Sequence, residues 1–375
     1  MAVMSAAAPA QRFALESLAR HALELPLARP LVTGRGTYRR RRVVLLRAVV
    51  RSGHGRAHGW GEVAPLPGWN DLAPDELESL LARLRADAGP DPIDSLDGRW
   101  PWLQSVPALR FGLECAVLDA CARIAGRPLK ALLGEDRGDR AGASVPVQFT
   151  LGDDDADAIV TALRAARSRG FECAKLKVGA RAVVDDVDRI RRIAAALGDG
   201  PGELALRLDA NGAWTVDEAL RALAAMPAPP VTLVEQPVVD ADLDALLARY
   251  DRRGPALAAD ESCAVPGRAA ALVETGRLDA LVVKPAGLGG LLPALRLADH
   301  ARAHGVDVIL SNLMESAVGR AAVAHLAAAR PRLRGPHGLA TGDWFARDVA
   351  EPDDVVAGRL ALRDGPGIGF DPALR

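Results

Sequence analysis

Aromatic side chains supply only 4% of the 375 residues, a compositional bias that carries no functional message. Acidic and basic groups nearly cancel, leaving a formal net charge of −1. That balance removes the field that would draw nucleic acid or an anionic membrane to the surface. No run of 18 apolar residues occurs, so no membrane span is expected. The four cysteines, Cys115, Cys121, Cys173 and Cys263, are scattered in apolar contexts without CxxC spacing, the pattern of buried reduced thiols in the cytosol. The opening "MAVMSAAAPAQRFALES" lacks a basic segment ahead of its apolar stretch; it does not read as a signal peptide, and a cytoplasmic location is expected.

What is present is ordinary for a globular enzyme: 49% hydrophobic and 25% charged residues, with length for two domains or one large barrel with additions. The first 140 or so residues have their own texture. "RRRRVVLLRAVVRSG" and "GRAHGWGEVAPLPG" predict two strands joined by a Gly-containing turn. "APDELESLLARLRADAG" predicts an amphipathic helix with an acidic first turn, and "VPALRFGLECAVLDACARIAGRPLKALLG" a longer helical region closed by Gly126 and resumed after Pro128. Strands followed by helices suggest a compact α+β domain over residues 1–142.

From about residue 143 the rhythm becomes strand, helix, strand, helix. Strands are predicted at "VPVQFT", "AKLKVG", "LALRLDANG", "VTLVEQP", "ALAADES", "ALVVKPAG" and "VDVILSNL", with amphipathic helices such as "DEALRALAAM" between them. The six strands after the first end in Lys177, Asp209, Glu235, Asp260, Lys284 and Ser311, at gaps of 32, 26, 25, 24 and 27 residues, about one βα unit each. In a closed (β/α) barrel the C-terminal ends of all strands converge on one mouth, whereas an open doubly wound sheet strings them along an edge. Polar groups at every strand end fit the barrel, over residues 143–342.

"AKLKVG" sharpens the point. Strand period two puts Lys175 and Lys177 on one face, roughly 6–7 Å apart. On a barrel interior both amines enter the mouth. Asp209, Glu235 and Asp260 come from three neighbouring strand ends, and three negative charges on one rim call for a counter-ion. A divalent cation on carboxylate oxygens supplies it, and Mg²⁺ suits such hard ligands, with Mn²⁺ as a substitute. Lys284 lies across the mouth from Lys175 and Lys177. Desolvation and like charge lower a lysine pKa, so the pair offers an amine base for removing a proton next to a carboxylate. The partner is then a small carboxylate, with the metal holding the charge of an enediolate.

"KLK", "LRLDANGAW", "VEQP", "ADES" and "VVKP", in this order, resemble the enolase superfamily and within it the muconate-lactonizing subgroup. The resemblance implies a modified (β/α)7β barrel with an N-terminal α+β capping domain, completed by the C-terminal tail at about residues 343–375. It implies Mg²⁺ on Asp209, Glu235 and Asp260, Lys177 as the base that takes the α-proton, Lys175 as the neighbour that tunes it, and Lys284 as the far lysine stabilising the enediolate. Asn211 is expected to orient these groups from behind. "GWGEVAPLPGWN" at 59–70 is similar to the capping loop of o-succinylbenzoate synthases, and "ILSNLMESAVGRAAVAHLAA" to their seventh-strand region. There Ser311, Asn312, Glu315 and Ser316 are expected at the substrate carboxylate, helped by free amides at the helix start. The family reaction so implied is syn-dehydration of a cyclohexadiene carboxylate to 2-succinylbenzoate, a step of menaquinone synthesis.

N-acylamino acid racemases use the same lysine pair and form the alternative. Dipeptide epimerases carry a DxD after the last strand, where "ATGDWF" offers only Asp343, which disfavours that branch. A barrel that binds without turnover has no use for two opposed amines. A substrate-contacting arginine is sought among Arg35, Arg39 and Arg110. His54 and His58 are expected in an exposed hairpin turn, His300 and His304 on a solvated helix face without the glutamate of HExxH, and Arg39–Arg42 on a solvated strand face. "GLGG" at 287–290 is weak evidence for a phosphate cradle. Oligomeric state is not written in the sequence.

Overall fold

A computed structural model describes residues 12–33, 36–91, 93–134, 142–152, 154–198, 204–330, 333, 335–352 and 354–374. The described residues open with three strands, β1 (Phe13–Thr33), β2 (Gly36–Ser52) and β3 (Gly55–Val63), paired antiparallel in the order β1-β2-β3. Strands β2 and β3 match the sequence expectation. No strand was expected over β1, whose Ala, Leu and Arg content is poor in β-branched residues; its pairing along β2 from Phe13↔Ser52 to Thr33↔Gly36 overrides that local preference.

Four helices follow: α1 (Pro74–Asp87), α2 (Leu96–Arg99), α3 (Pro107–Ile124) and α4 (Leu129–Leu133). Helix α3 is the spine of this lobe. Strand β3 lies almost in contact with its backbone: a Cβ on Gly61 would stand 1.9 Å from the Gly112 carbonyl oxygen, and one on Gly59 2.2 Å from that of Ala116. The glycines of "GWGE" are therefore a requirement of close approach.

The second lobe alternates strands and helices. Its strands are β4 (Ser144–Pro146), β5 (Phe149–Thr150), β6 (Cys173–Lys177), β7 (Ala205–Asp209), β8 (Val231–Glu235), β9 (Ala256–Ala259), β10 (Ala280–Val283) and β11 (Asp307–Leu310). The helices are α5 (Ala156–Ser168), α6 (Val183–Leu197), α7 (Val216–Ala225), α8 (Asp240–Arg249), α9 (Arg268–Glu274), α10 (Pro285–Leu288), α11 (Leu291–Ala303) and α12 (Ala317–Ala329). Strands β5 to β11 form one parallel sheet in sequence order. The segment 337–338 joins its two edges, bridging in parallel to Val147 and to Ser311. His337 donates its amide to the Pro146 carbonyl (2.8 Å) and Gly338 donates to that of Leu310 (2.8 Å). This is the closing stave of a (β/α)7β barrel. The expected strand "VPVQFT" is split, because β4 instead pairs antiparallel with β13 (Arg359–Ala361), itself paired with β12 (Val355–Val356).

Alternation along the staves sorts inside from outside. Ala174 and Leu176 of β6 are fully buried in the large core under the helices. Leu233, Ala258, Ala280, Val282 and Ile309 form a separate small cluster in which the inward sides of β8 to β11 meet. Lys175 and Lys177 have the opposite parity to Ala174 and Leu176, so they enter the barrel.

The C-terminal tail returns to the first lobe. Ile368 donates its amide to Asp119 of α3 (2.7 Å), and Asp371 accepts from the Trp60 indole (2.8 Å) and meets His58 (3.0 Å). His58 thus lies within β3 beside the tail, not in the hairpin turn with exposed His54. No helix among the described residues is long and apolar enough to cross a membrane.

Candidate active site

Each strand-end group sits where a stave stops and the chain turns outward. Register pairs Lys177 with Asp209 and Asp209 with Glu235 across β6, β7 and β8, and Asp260 and Lys284 follow β9 and β10 directly. The carboxylates of Asp209, Glu235 and Asp260 are buried, and one oxygen from each lies within 4.8 Å of the others.

Two amines hold this acidic trio together. Lys175 Nζ donates to Glu235 Oε1 at 2.7 Å and lies 2.8 Å from Asp209 Oδ2; Lys284 Nζ grips both oxygens of Asp260. Burial opposes the charge of Lys175, but Asp209, Glu235 and Asp260 outweigh it and push its pKa well above the ordinary lysine range. Opposite charges thus outweigh burial at Lys175. Burial also works against Asp209, yet Lys175 holds it below its usual value. At Glu235 burial wins, with Asp209 and Asp260 adding to it against Lys175, and its pKa rises well above normal.

Three buried carboxyl groups share the amines of Lys175 and Lys284. All the donors are oxygens, they are buried, and they converge. That set fits a hard divalent cation.

Lys177 has different company. Its Nζ donates to Asn211 Oδ1 at 3.1 Å, and the Asn211 amide in turn donates to Glu261 Oε1 at 2.9 Å. Asn211 adopts a left-handed backbone (φ 46°), and its N–H donates to Asp209 Oδ1 (3.1 Å). Asn211 thus ties the Asp209 strand end to Lys177, with Glu261 as an added anchor that sequence reasoning missed.

The first lobe reaches the mouth through the loop after β3. Trp69 lays its ring over Lys284, with Nζ 3.6 Å from the ring centroid. Asn70 fixes the loop by donating to the Ala286 carbonyl (3.4 Å) and accepting from the Leu66 amide (2.8 Å). Trp69, Asp260, Val282, Lys284 and Leu288 line one small cavity.

The β11–α12 turn departs from expectation. Ser311 bridges to Gly338, and Asn312 donates to Thr341 Oγ1 at 2.7 Å. The start of α12 offers no free amide. Those of Ser316 and Gly319 donate to Glu62 (2.8 and 2.9 Å), that of Ala317 to Asp348 (3.0 Å), and that of Val318 to Ser316 Oγ (3.4 Å). The Ser316 hydroxyl also donates to Glu62, at 2.6 Å. An internal carboxylate from β3 thus takes the amides expected to face a substrate carboxylate. Glu315 is buried, accepts the Leu313 amide (2.6 Å), and burial beside Glu62 raises its pKa to about 7.

Arg110 pairs with Asp97 (2.7 Å) and Glu114 (3.2 Å) and reaches the Gly289 carbonyl, so it braces "GLGG" against α3. Arg39 is exposed, and Arg35 lies outside the described residues. Arg41, expected with its neighbours on a solvated face, is 3% exposed. His300 and His304 stack at 4.5 Å on α11 and its end. Asp343 is exposed, 3.9 Å from Arg169.

A closed parallel barrel with an acidic trio at its mouth and a strand-built cap defines an enzyme of the enolase kind. Residues 158–374 match the family described as enolase C-terminal domain-like, and the chain belongs to the enolase superfamily. It is similar to an N-succinylamino acid racemase from Amycolatopsis sp, 30% identical over 360 residues and 93% of each chain. A chloromuconate cycloisomerase from Cupriavidus pinatubonensis (strain JMP 134 / LMG 1197) is 32% identical over 267 residues, 70% of this chain and 69% of its own. The crystal structure of muconate lactonizing enzyme from Pseudomonas Fluorescens complexed with muconolactone matches 96% of both chains with a TM-score of 0.81 at 27% identity.

Proposed function

We propose that the chain is an o-succinylbenzoate synthase, a hydro-lyase that dehydrates 2-succinyl-6-hydroxy-2,4-cyclohexadiene-1-carboxylate to 2-succinylbenzoate in menaquinone synthesis. Asp209, Glu235 and Asp260 would hold Mg²⁺, which supplies a positive centre for the substrate carboxylate when bound. Lys177, as the base, takes the proton from the carbon bearing that carboxylate. The electron pair enters the carboxylate as an enediolate, then returns as the ring C–O bond breaks. Lys177, now an ammonium, gives its proton to the departing hydroxide, and water leaves from the same face.

The observation that carries this reading is the unlike company of the two amines. Lys177 meets the neutral amide of Asn211, whereas Lys284 is engaged by the Asp260 carboxylate and the face of Trp69. A syn-dehydration needs one proton-moving amine and one fixed positive group. Racemisation needs two amines that exchange protons in turn.

Similarity to the Amycolatopsis racemase over 93% of the chain favours N-succinylamino acid racemisation as the second reading. Purified protein with Mg²⁺ is to be given the cyclohexadiene substrate and, separately, an N-succinylamino acid in D₂O. Dehydration faster than α-deuterium incorporation is the expected result. The reverse order assigns the chain to the racemases.

A further inference from the structure

Arg41 is one of the charged cap side chains that reach the barrel without a part in the chemistry above. Arg41 of β2 is buried, and its guanidinium spends its donors on four main-chain carbonyls. Nη1 donates to Pro65 (3.0 Å) and Nη2 to Ala64 (2.9 Å), both at the root of the loop that carries Trp69. Nε donates to Met314 (3.1 Å) and Nη2 also to Leu313 (3.3 Å), both in the turn between β11 and α12. Met314 is held in a left-handed conformation (φ 60°).

Burying a guanidinium in this interface sacrifices its hydration, which the nearby charges of Glu315 and Glu62 offset in part, while its hydrogen bonds go to main-chain carbonyls. Carbonyls satisfy its geometry: a rigid planar fork can hold two chain segments at a fixed separation. An apolar side chain would fill the same space more cheaply and leave the segments free to slide.

We propose that Arg41 is a positioning residue that couples the two walls of the site. It makes the Trp69 loop, over Lys284, and the 311–316 turn move as one unit. Its relevance to turnover rests on the functional reading above, since Trp69 of one wall covers Lys284. The coupling itself stands on the four carbonyl contacts alone.

Hydrogen exchange of the full-length protein tests it without substrate, so failure of the proposed reaction leaves the result intact. Arg41→Lys keeps the charge but lacks the fork. Exchange is expected to quicken about tenfold or more in both the 64–70 and 311–316 segments, with peptides covering β7 to β9 unchanged. A rise in one segment only, in neither, or equally across the whole chain overturns the coupling. Should Arg41→Lys fold poorly, Arg41→Gln is read by the same criterion. With an active preparation, Arg41→Lys is further expected to lower kcat/KM about tenfold at a Tm near that of the wild type. An unchanged kcat/KM removes the link to turnover.

Discussion

Lys175 and Lys177, two residues apart on one stave, keep opposite kinds of partner. Lys175 lies within 2.8 Å of two carboxylates, while Lys177 donates to the neutral oxygen of Asn211 at 3.1 Å. The first amine is committed to the acidic trio. The second is the one that the proposed reaction would use as its base.

Lys177→Ala removes that proton carrier and leaves the trio untouched. Turnover is expected to fall by about 10²–10⁴-fold, the usual contribution of a positioned base. The Mg²⁺-dependent rise in Tm should persist. Residual turnover within tenfold of wild type would reassign the base.

Metal binding has its own signature. If Mg²⁺ joins the trio it must displace or outcompete the Lys175 contact, and binding only the folded state raises stability by about 2.7 kcal/mol at a hundredfold excess over Kd. Glu235→Gln removes one anionic ligand, so its Tm should no longer respond to Mg²⁺, and chelator should leave it unchanged. A thermal shift equal to the wild type in Glu235→Gln would place the ion elsewhere.

The mouth was legible in the sequence because strand endings recur at one βα spacing and parity alone fixes which side chains point inward. Lys177, Asp209, Glu235, Asp260 and Lys284 needed nothing more. Glu62 and Ser316 were not legible as a pair: they are 254 positions apart, and a helix start looks free until its long-range acceptor is known. Arg41 failed for a related reason. Alternation says that it differs from Arg40 and Arg42 but not which face the barrel covers. Strand β1 was hidden because its partner, not its own composition, makes it a strand.

The barrel seam should be acid-labile through His337. Its Nδ1 accepts the Leu310 amide (3.2 Å), so the ring must stay neutral, and burial depresses its pKa to about 3. Because the folded value lies below the unfolded one near 6.5, the contribution is complete above about pH 6.5 and is lost as pH falls towards 3. The full loss is on the order of 4 kcal/mol. Urea midpoints between pH 4 and 7 should fall on acidification in the wild type and fall less in His337→Asn. Equal slopes in the two proteins would remove His337 from the account. His325, depressed by burial to about 4, adds to the same window in both.

Glu62 supports the α12 start from the cap, and its removal should be felt as stability rather than chemistry. Glu62→Ala strips acceptors from the amides of Ser316 and Gly319 and from the Ser316 hydroxyl in a site closed to water. Orphaning buried donors of this kind costs about 2–4 kcal/mol in all. Glu62→Gln keeps one acceptor oxygen but turns an NH₂ towards other donors, so it should recover only part of that loss. A glutamine variant as stable as the wild type would show that shape, not the carboxylate, holds the two lobes together. The Mg²⁺ response should survive in both variants, because none of the trio's contacts involves β3. Loss of that response along with stability would instead make the cap part of the metal site.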